Sequence, residues 1–274
     1  MQLRCLLLCG LLAFMPLVAA ANPNPEPDHT KIPEWQVIRN LMFGDREINP
    51  DDRDVVRLYL NTRADDAATV PIMINGQIEQ TADDYIKTLY VIVDGNPIPT
   101  AGVFHFTPDS GRVKMETRLR FEKYSFVRAV AELNDGRLYM SQRWVKAAGG
   151  CSAPMGKNVA AASMGKMRFR LDDAVEYDQP QLVQIQVRHP NESALASDLD
   201  PDHVAQFIRS VEVNYNDKPV MSGEVNFSLS DNPVFRFYFV PRAEGELNVR
   251  VEDTHDTVFT QSMQISEGES TETH

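Results

Sequence analysis

The chain has 274 residues, of which 43% are apolar and 24% are charged, an ordinary balance for a protein that buries a core. Its 27 Lys and Arg residues stand against 39 Asp and Glu residues, so the net charge is −12. Proteins that bind nucleic acid through its phosphates usually carry the opposite charge, which argues against a nucleic-acid partner. No apolar run after residue 21 approaches the ~18 residues that span a bilayer, so no membrane partner is expected either.

The N-terminal segment has the order of a secretory signal peptide. Arg4 precedes an apolar run over residues 5–18, and three alanines follow at 19–21. We therefore expect residues 1–21 to be removed during export. Two of the three cysteines lie in this segment, so the mature chain keeps one thiol, at Cys151, and has no intramolecular disulfide.

Residues 33–43 are predicted to form a helix. Apolar residues recur there at helical spacing, with Trp35 on the face that should dock. Thr30 or Asp28 would supply the N-terminal cap, and Gly44 would end the helix in a left-handed conformation.

From residue 55 onward the pattern changes to short alternating or β-branched runs separated by turn-forming residues. Runs of this length and spacing predict an all-β fold of antiparallel sandwiches. The predicted strands of the first half are 55–60, 70–74, 86–93, 103–106, 113–121, 124–133 and 137–144. Those of the second half are 167–171, 182–188, 208–214, 225–229, 234–240, 247–251 and 258–263.

A stretch of small residues over 146–165 interrupts the strands. It is expected to be an arm between two domains, 22–145 and 166–266, which makes the thiol an interdomain residue. Residues 267–274 are expected to form a disordered tail.

Cys151 is the strongest candidate for chemistry. Its small neighbours indicate low steric cover and a free backbone, whereas a structural cysteine normally sits among core residues. This setting suits a thiol that is presented to another protein better than a catalytic thiol, which needs a base held within reach. Lys146 and Lys157 are candidate cations that would support an anionic adduct. The flexible positions of the arm are predicted to be Gly149, Gly150 and Ser152.

Other roles of Cys151 stay open at this point: a disulfide to a second copy of the chain, an incidental residue, or a thiol enzyme. An enzyme requires a base close in space, and the nearest histidines in the sequence, His105 and His189, lie in no protease signature. The six histidines lack the short spacing of zinc sites, and residues 150–157 depart from the phosphate-binding loop. No metal or cofactor is therefore predicted.

A series of short motifs along the chain resembles a fused version of the sulfur-compound carrier SoxYZ, of the subgroup called quinoprotein dehydrogenase-associated SoxYZ-like carriers. The first half is similar to SoxY, including the hairpin over 127–139 that leads into Gly-Gly-Cys at Cys151. The second half is similar to SoxZ in Val-Arg-His-Pro at 187–190 and Ser-Asp-Asn-Pro-Val-Phe-Arg-Phe at 230–237. In SoxY the cysteine lies in Gly-Gly-Cys-Gly-Gly at a free C-terminus, whereas here Ser-Ala-Pro follows at 152–154 and the chain continues.

The resemblance implies two immunoglobulin-like β-sandwich domains and a periplasmic, non-catalytic carrier. Cys151 would covalently hold a sulfur species, as in thiosulfate oxidation, or another small substrate while periplasmic redox enzymes process it. The implied partners are sulfur-oxidation enzymes or a PQQ-dependent alcohol dehydrogenase. The alternative function, from a different class, is that the chain is a non-covalent scaffold for a quinoprotein dehydrogenase. In that case the cysteine has a secondary role.

Overall fold

The computed structural model describes residues 26–50, 54–154, 161–198, 200, 202–270 and 272–273. The predicted signal peptide, residues 1–21, lies outside them. Within the described residues the chain is mostly β, with one short N-terminal helix, α1 (Pro33–Phe43), which confirms the predicted fold class. The strands are β1 (Ile48–Pro50), β2 (Val56–Tyr59), β3 (Val70–Gly76), β4 (Ile86–Val93), β5 (Thr100–Phe106), β6 (Lys114–Leu119), β7 (Ser125–Leu133), β8 (Leu138–Val145), β9 (Met167–Leu171), β10 (Gln181–Val187), β11 (Ile208–Tyr215), β12 (Lys218–Val225), β13 (Val234–Phe239), β14 (Gly245–Asp253), β15 (Val258–Ile265) and β16 (Glu272–Thr273).

Helix α1 has the predicted bounds and docks by its Trp35 face, which is buried. It ends at Gly44, where φ is +59° and the N–H bonds to the Asn40 carbonyl oxygen at 3.2 Å. The predicted cap is wrong, because Asp28 accepts from Thr30 N–H in a separate 3-10 turn and no side chain caps α1. A proline at the first helical position leaves one fewer N–H to satisfy there.

The strands form two sheets, and each sheet runs through both halves of the chain. One has nine strands in the order β1-β8-β7-β4-β5-β12-β11-β14-β15, and the other has seven in the order β16-β9-β10-β13-β6-β3-β2. The halves meet edge to edge, where β5 pairs with β12 and β6 pairs with β13. This pairing satisfies backbone groups that two separate sandwiches would leave unpaired at their edges. The two halves therefore share both sheets.

The core is continuous across this junction. Phe235, Phe237 and Phe239 alternate along β13 and are fully buried, as their spacing predicts. Phe104 of β5, from the first half, lies edge-on against Phe235, with 6.4 Å between the ring centroids. One hydrophobic core thus includes residues of both halves.

Two further local predictions differ from the structure, and one strand has no counterpart in the sequence prediction. The strand predicted at 225–229 lies instead at β12, because Asn216 and Asp217 adopt φ of +47° and +64° and form a two-residue turn between β11 and β12. β1 was not predicted and pairs in parallel with β8. In the tail predicted to be disordered, β16 pairs with β9.

Candidate functional site

The loop that follows β8 carries Cys151 across the end of β6. Gly149 N–H donates to the Glu122 carbonyl oxygen at 3.0 Å, and Gly150 N–H donates to the Phe121 carbonyl oxygen at 2.7 Å. A Cβ on Gly150 would lie 2.0 Å from the Ala67 carbonyl oxygen, so only glycine fits there. Glycine is therefore needed at residue 150 because two backbone segments pack closely there.

The Glu122 carboxylate ties the loop to the first half of the chain. Its Oε2 accepts from the N–H groups of Cys151 at 3.2 Å and Ser152 at 3.0 Å, and its Oε1 accepts from Ser152 Oγ at 3.1 Å. Two contacts tie the same loop to the second half. Ser193 Oγ donates to the Cys151 carbonyl oxygen at 2.6 Å, and Ser197 N–H donates to the Ser152 carbonyl oxygen at 3.1 Å.

Cys151 itself is a free thiol with an exposed fraction of 0%. Burial raises the pKa of the thiol to about 12, and the negative charge of Glu122 acts in the same direction, while Arg120 acts to lower it. The sulfur is therefore protonated at neutral pH and a poor nucleophile in this arrangement. The sequence indicates an uncovered thiol, whereas the structure encloses it.

Arg120 is a buried cation beside this thiol, with 7% of its surface exposed. Its Nη1 donates to the carbonyl oxygens of Asn191 at 2.9 Å and Phe227 at 2.8 Å, and also to that of Leu229. All three acceptors are uncharged and belong to the second half. Burial lowers the pKa of Arg120, and the acidic groups that act to raise it are Asp231, Cys151 and Asp66.

Of the two predicted supporting cations, the structure describes only Lys146. Lys146 N–H bonds to the Thr62 carbonyl oxygen at 2.8 Å, and its ammonium is not among the charges that shift the pKa of Cys151. Lys157 lies outside the described residues. Arg120 provides a positive charge there instead, and its sequence position, at the end of a strand with alternating burial, gave no signal of that role.

His189, the nearer downstream histidine, is engaged elsewhere. Its Nδ1 accepts from Asn191 N–H at 2.9 Å, which places the ring proton on Nε2, and Nε2 lies 3.4 Å from Asp253 Oδ2. Both ring nitrogens thus contact groups other than the thiol. Within the part of the chain that the structure describes, no group of three or more His, Cys, Asp or Glu residues could hold a metal ion.

Two family matches divide the chain at this loop. Residues 39–151 match the family described as sulfur oxidation protein SoxY, and residues 168–264 match sulphur oxidation protein SoxZ. The chain is a fusion of a SoxY domain and a SoxZ domain. The SoxY match ends at Cys151, so the buried thiol is the last residue that matches this family. SoxYZ proteins are non-catalytic carriers of the periplasmic Sox system and interact with Sox enzymes, in agreement with the expectation that the chain is not an enzyme.

Solved structures similar to the chain include the sulfur carrier protein SoxY from Chlorobium limicola f thiosulfatophilum. It is 19% identical, the match covers 41% of this chain and 90% of that one, and the TM-score is 0.33. The fibronectin(III)-like modules of Clostridium thermocellum CbhA are 13% identical over 77% of this chain and 93% of theirs, with a TM-score of 0.23. The D00-D0 domain of Intimin is 11% identical over 78% and 100%, with a TM-score of 0.20. No curated protein matches the chain.

Proposed function

We propose that this SoxYZ fusion is a periplasmic carrier that covalently holds a sulfur species, or another small substrate, on the Cys151 thiol while partner redox enzymes process it. The observation that supports this proposal most directly is the position of the thiol in the structure. Cys151 is the last residue of the SoxY match and lies where the two domains meet, held by Glu122 on one side and Ser193 on the other.

Loading requires an accessible, deprotonated sulfur on Cys151. When a sulfur species with a terminal sulfur anion joins it through an S–S bond, the thiol proton goes to solvent and two electrons leave the pair. A partner redox enzyme accepts those electrons. We propose that this partner is a sulfur-oxidation enzyme or a PQQ-dependent dehydrogenase.

The proposal includes an opening of residues 149–152, because the thiol is fully buried with the loop in place. Opening would break the hydrogen bonds of this loop to Glu122, Ser193 and Ser197. Gly149, Gly150 and Ser152 are the proposed flexible positions. A disulfide between two copies of the chain would require the same opening, so it is expected only for the open form.

Replacement of the thiol in the host tests the proposal. A Cys151→Ser strain should lose processing of the carried compound while the protein stays folded and abundant, since serine is close in size and cannot form the S–S bond. A Ser262→Ala strain, altered at an exposed serine of β15 that bonds Glu246, should keep it. Full activity in the Cys151→Ser strain would contradict the carrier.

One observation favours a second candidate function. The buried thiol, with its pKa raised to about 12, is also what a scaffold with an incidental cysteine would show. In that case the protein would support a quinoprotein dehydrogenase without covalent chemistry. Unchanged dehydrogenase activity in the Cys151→Ser strain, together with loss of it on deletion of the whole chain, would favour this scaffold.

A further inference from the structure

We propose that a basic patch on the outer face of the seven-stranded sheet is the docking surface for an acidic region of a partner enzyme. The patch consists of Arg118, Lys166, Arg168 and Arg188. It stands out because the chain as a whole carries a net charge of −12. The inference rests on the proposed carrier function, since the partners in question are the redox enzymes that process the cargo of Cys151.

The strand pattern places these cations on one face of the sheet. Residues of β6 and β9 alternate between buried and more exposed positions, and Arg118 and Arg168 take the outward ones. The register sets Gln186 of β10 opposite Arg168, on the same face. Lys166 just before β9 and Arg188 just after β10 continue the alternation, and both are exposed. The Arg188 N–H donates to the Lys166 carbonyl oxygen at 2.8 Å, which keeps the two residues together.

A surface pocket of about 320 Å³ lies among these cations. It is lined by Lys166, Met167, Arg168, Gln186, Arg188 and Asn232, without an Asp or a Glu. Arg118 adjoins it, because its Nη2 donates to the Asn232 carbonyl oxygen at 3.2 Å. The neighbouring carboxylate, Asp231, accepts from the Asn232 amide at 3.2 Å and belongs to no ion pair of the described residues. Positive charge therefore exceeds negative charge at this pocket.

The other sheet shows the contrast. On the nine-stranded sheet, Arg209 Nη2 lies 2.7 Å from the carboxylate of Asp256, and Arg250 Nη2 lies 2.7 Å from that of Glu252. Among the described residues, Lys166 and Arg188 have no carboxylate at ion-pair distance. Charges of this kind attract an oppositely charged protein surface and steer its approach. Exposed cations hold a single small ion weakly, whereas a row of them can meet several carboxylates of a partner at once.

The patch lies near the loop of Cys151. Asn232 N–H donates to the His189 carbonyl oxygen at 2.8 Å, and Ser193 Oγ donates to the Cys151 carbonyl oxygen at 2.6 Å. The four residues of chain from 189 to 193 span at most about 14 Å. A standard interface covers about 800 Å² of each partner, a disc roughly 30 Å across. An enzyme docked on the basic patch is therefore close enough to receive Cys151 when its loop opens.

Binding of a fluorescein-labelled oligoglutamate peptide, followed by fluorescence anisotropy at low salt, tests the charge of the patch. The parent chain should bind the peptide, and binding should weaken as NaCl is added. Lys166→Gln/Arg188→Gln should weaken it at least about fivefold, because it removes two cations without carboxylate partners. The matched control, Arg209→Gln/Arg250→Gln, removes the same charge from paired cations and should change binding less than about twofold. Thermal unfolding shows that both variants are folded.

NMR of ¹⁵N-labelled protein locates the bound peptide. The largest shifts should fall on residues 166–168 and 186–188. Equal weakening in both double variants, or shifts centred on β11 and β14, would overturn the proposal. Two further results would contradict an acidic protein partner. One is a sulfate salt that displaces the peptide better than NaCl of equal ionic strength, and the other is an oligonucleotide of equal charge that binds more tightly.

A strain with Lys166→Gln/Arg188→Gln tests the assignment to the processing enzymes. It should process the carried compound at least about threefold more slowly, because encounter with the enzyme loses its electrostatic attraction. The Arg209→Gln/Arg250→Gln strain should process it at the parental rate. Parental rates in both strains would overturn the assignment. The peptide measurements use neither cargo nor Cys151, so their failure is distinguishable from failure of the carrier function, which the Cys151→Ser strain decides.

Discussion

Glu122 Oε2 accepts a hydrogen bond from the backbone N–H of Cys151 at 3.2 Å, so a carboxylate holds the residue that carries the thiol. A second bond, from Ser152 N–H, reaches the same oxygen at 3.0 Å. Together with the burial of the sulfur, this contact stores Cys151 in an unreactive form.

Removal of the Glu122 charge should make Cys151 more reactive. In Glu122→Gln the thiolate fraction rises, because the pKa falls, and the loop loses charge-assisted hydrogen bonds. The rate of Cys151 alkylation by iodoacetamide at pH 8 should increase at least about tenfold over the parent chain. Glu224→Gln is the control, since Glu224 is a largely exposed carboxylate that pairs with His105. Equal alkylation rates in all three proteins would count against the hold of Glu122 on the loop.

The burial of Cys151 should make the free energy of unfolding depend on alkaline pH. The folded-state pKa of about 12 lies above the ordinary value of 9.0. The contribution of the protonated thiol to the free energy of unfolding is therefore fully present below pH 9 and is lost as the pH rises toward 12. Over that window the parent chain should lose up to about 1.4 kcal/mol per pH unit more than Cys151→Ser. Urea denaturation of both proteins between pH 8 and about 10.5 measures the difference. Parallel curves for the two proteins would mean that the thiol ionises freely in the folded state.

Gly150→Ala should disrupt the closed loop. The new Cβ would lie 2.0 Å from the Ala67 carbonyl oxygen, and a backbone atom cannot move aside as a flexible side chain can. We expect a loss of about 2 kcal/mol or more in denaturation and faster alkylation of Cys151. Gly149→Ala is the comparison, because it has room for a Cβ but a φ of +81°, and it should cost only about 1 kcal/mol. A Gly150→Ala protein as stable and as slowly alkylated as the parent would show that residues 149–152 do not pack this way.

Several features of the fold follow from local sequence. The three alternating phenylalanines of β13 predict a buried strand face because strand side chains repeat every two residues. Helix α1 follows in the same way from the helical spacing of its apolar residues and from Gly44.

The pairing of strands that are far apart in the sequence cannot be predicted from such local patterns. The junction of β5 with β12 joins strands that are far apart in the sequence, and nothing in either strand specifies its partner. The glycines before Cys151 were equally ambiguous, because glycine permits both a free backbone and a close approach. At Gly150 the short distance to the Ala67 backbone shows that the glycine serves the close approach of two backbone segments.

The shared sheets should make the two domains unfold together. Phe104 and Phe235 pack across the junction, so Phe104→Ala should remove about 3 to 5 kcal/mol from a single unfolding transition that involves both domains. Val103→Ala, at a half-buried position on the same strand, should cost much less. Differential scanning calorimetry would show the transition. Two separate transitions, of which Phe104→Ala lowers only one, would contradict the continuous core.

The intact mass of the protein isolated from its own host tests the central claim most directly. A carrier should arrive with a fraction of the chain heavier by one small adduct, which a thiol reductant removes and which peptide mapping places on Cys151. The Cys151→Ser protein, isolated in the same way, should show the unmodified mass only. An unmodified Cys151 in the parent chain, isolated while the partner enzymes are active and the carried compound is supplied, would contradict the account.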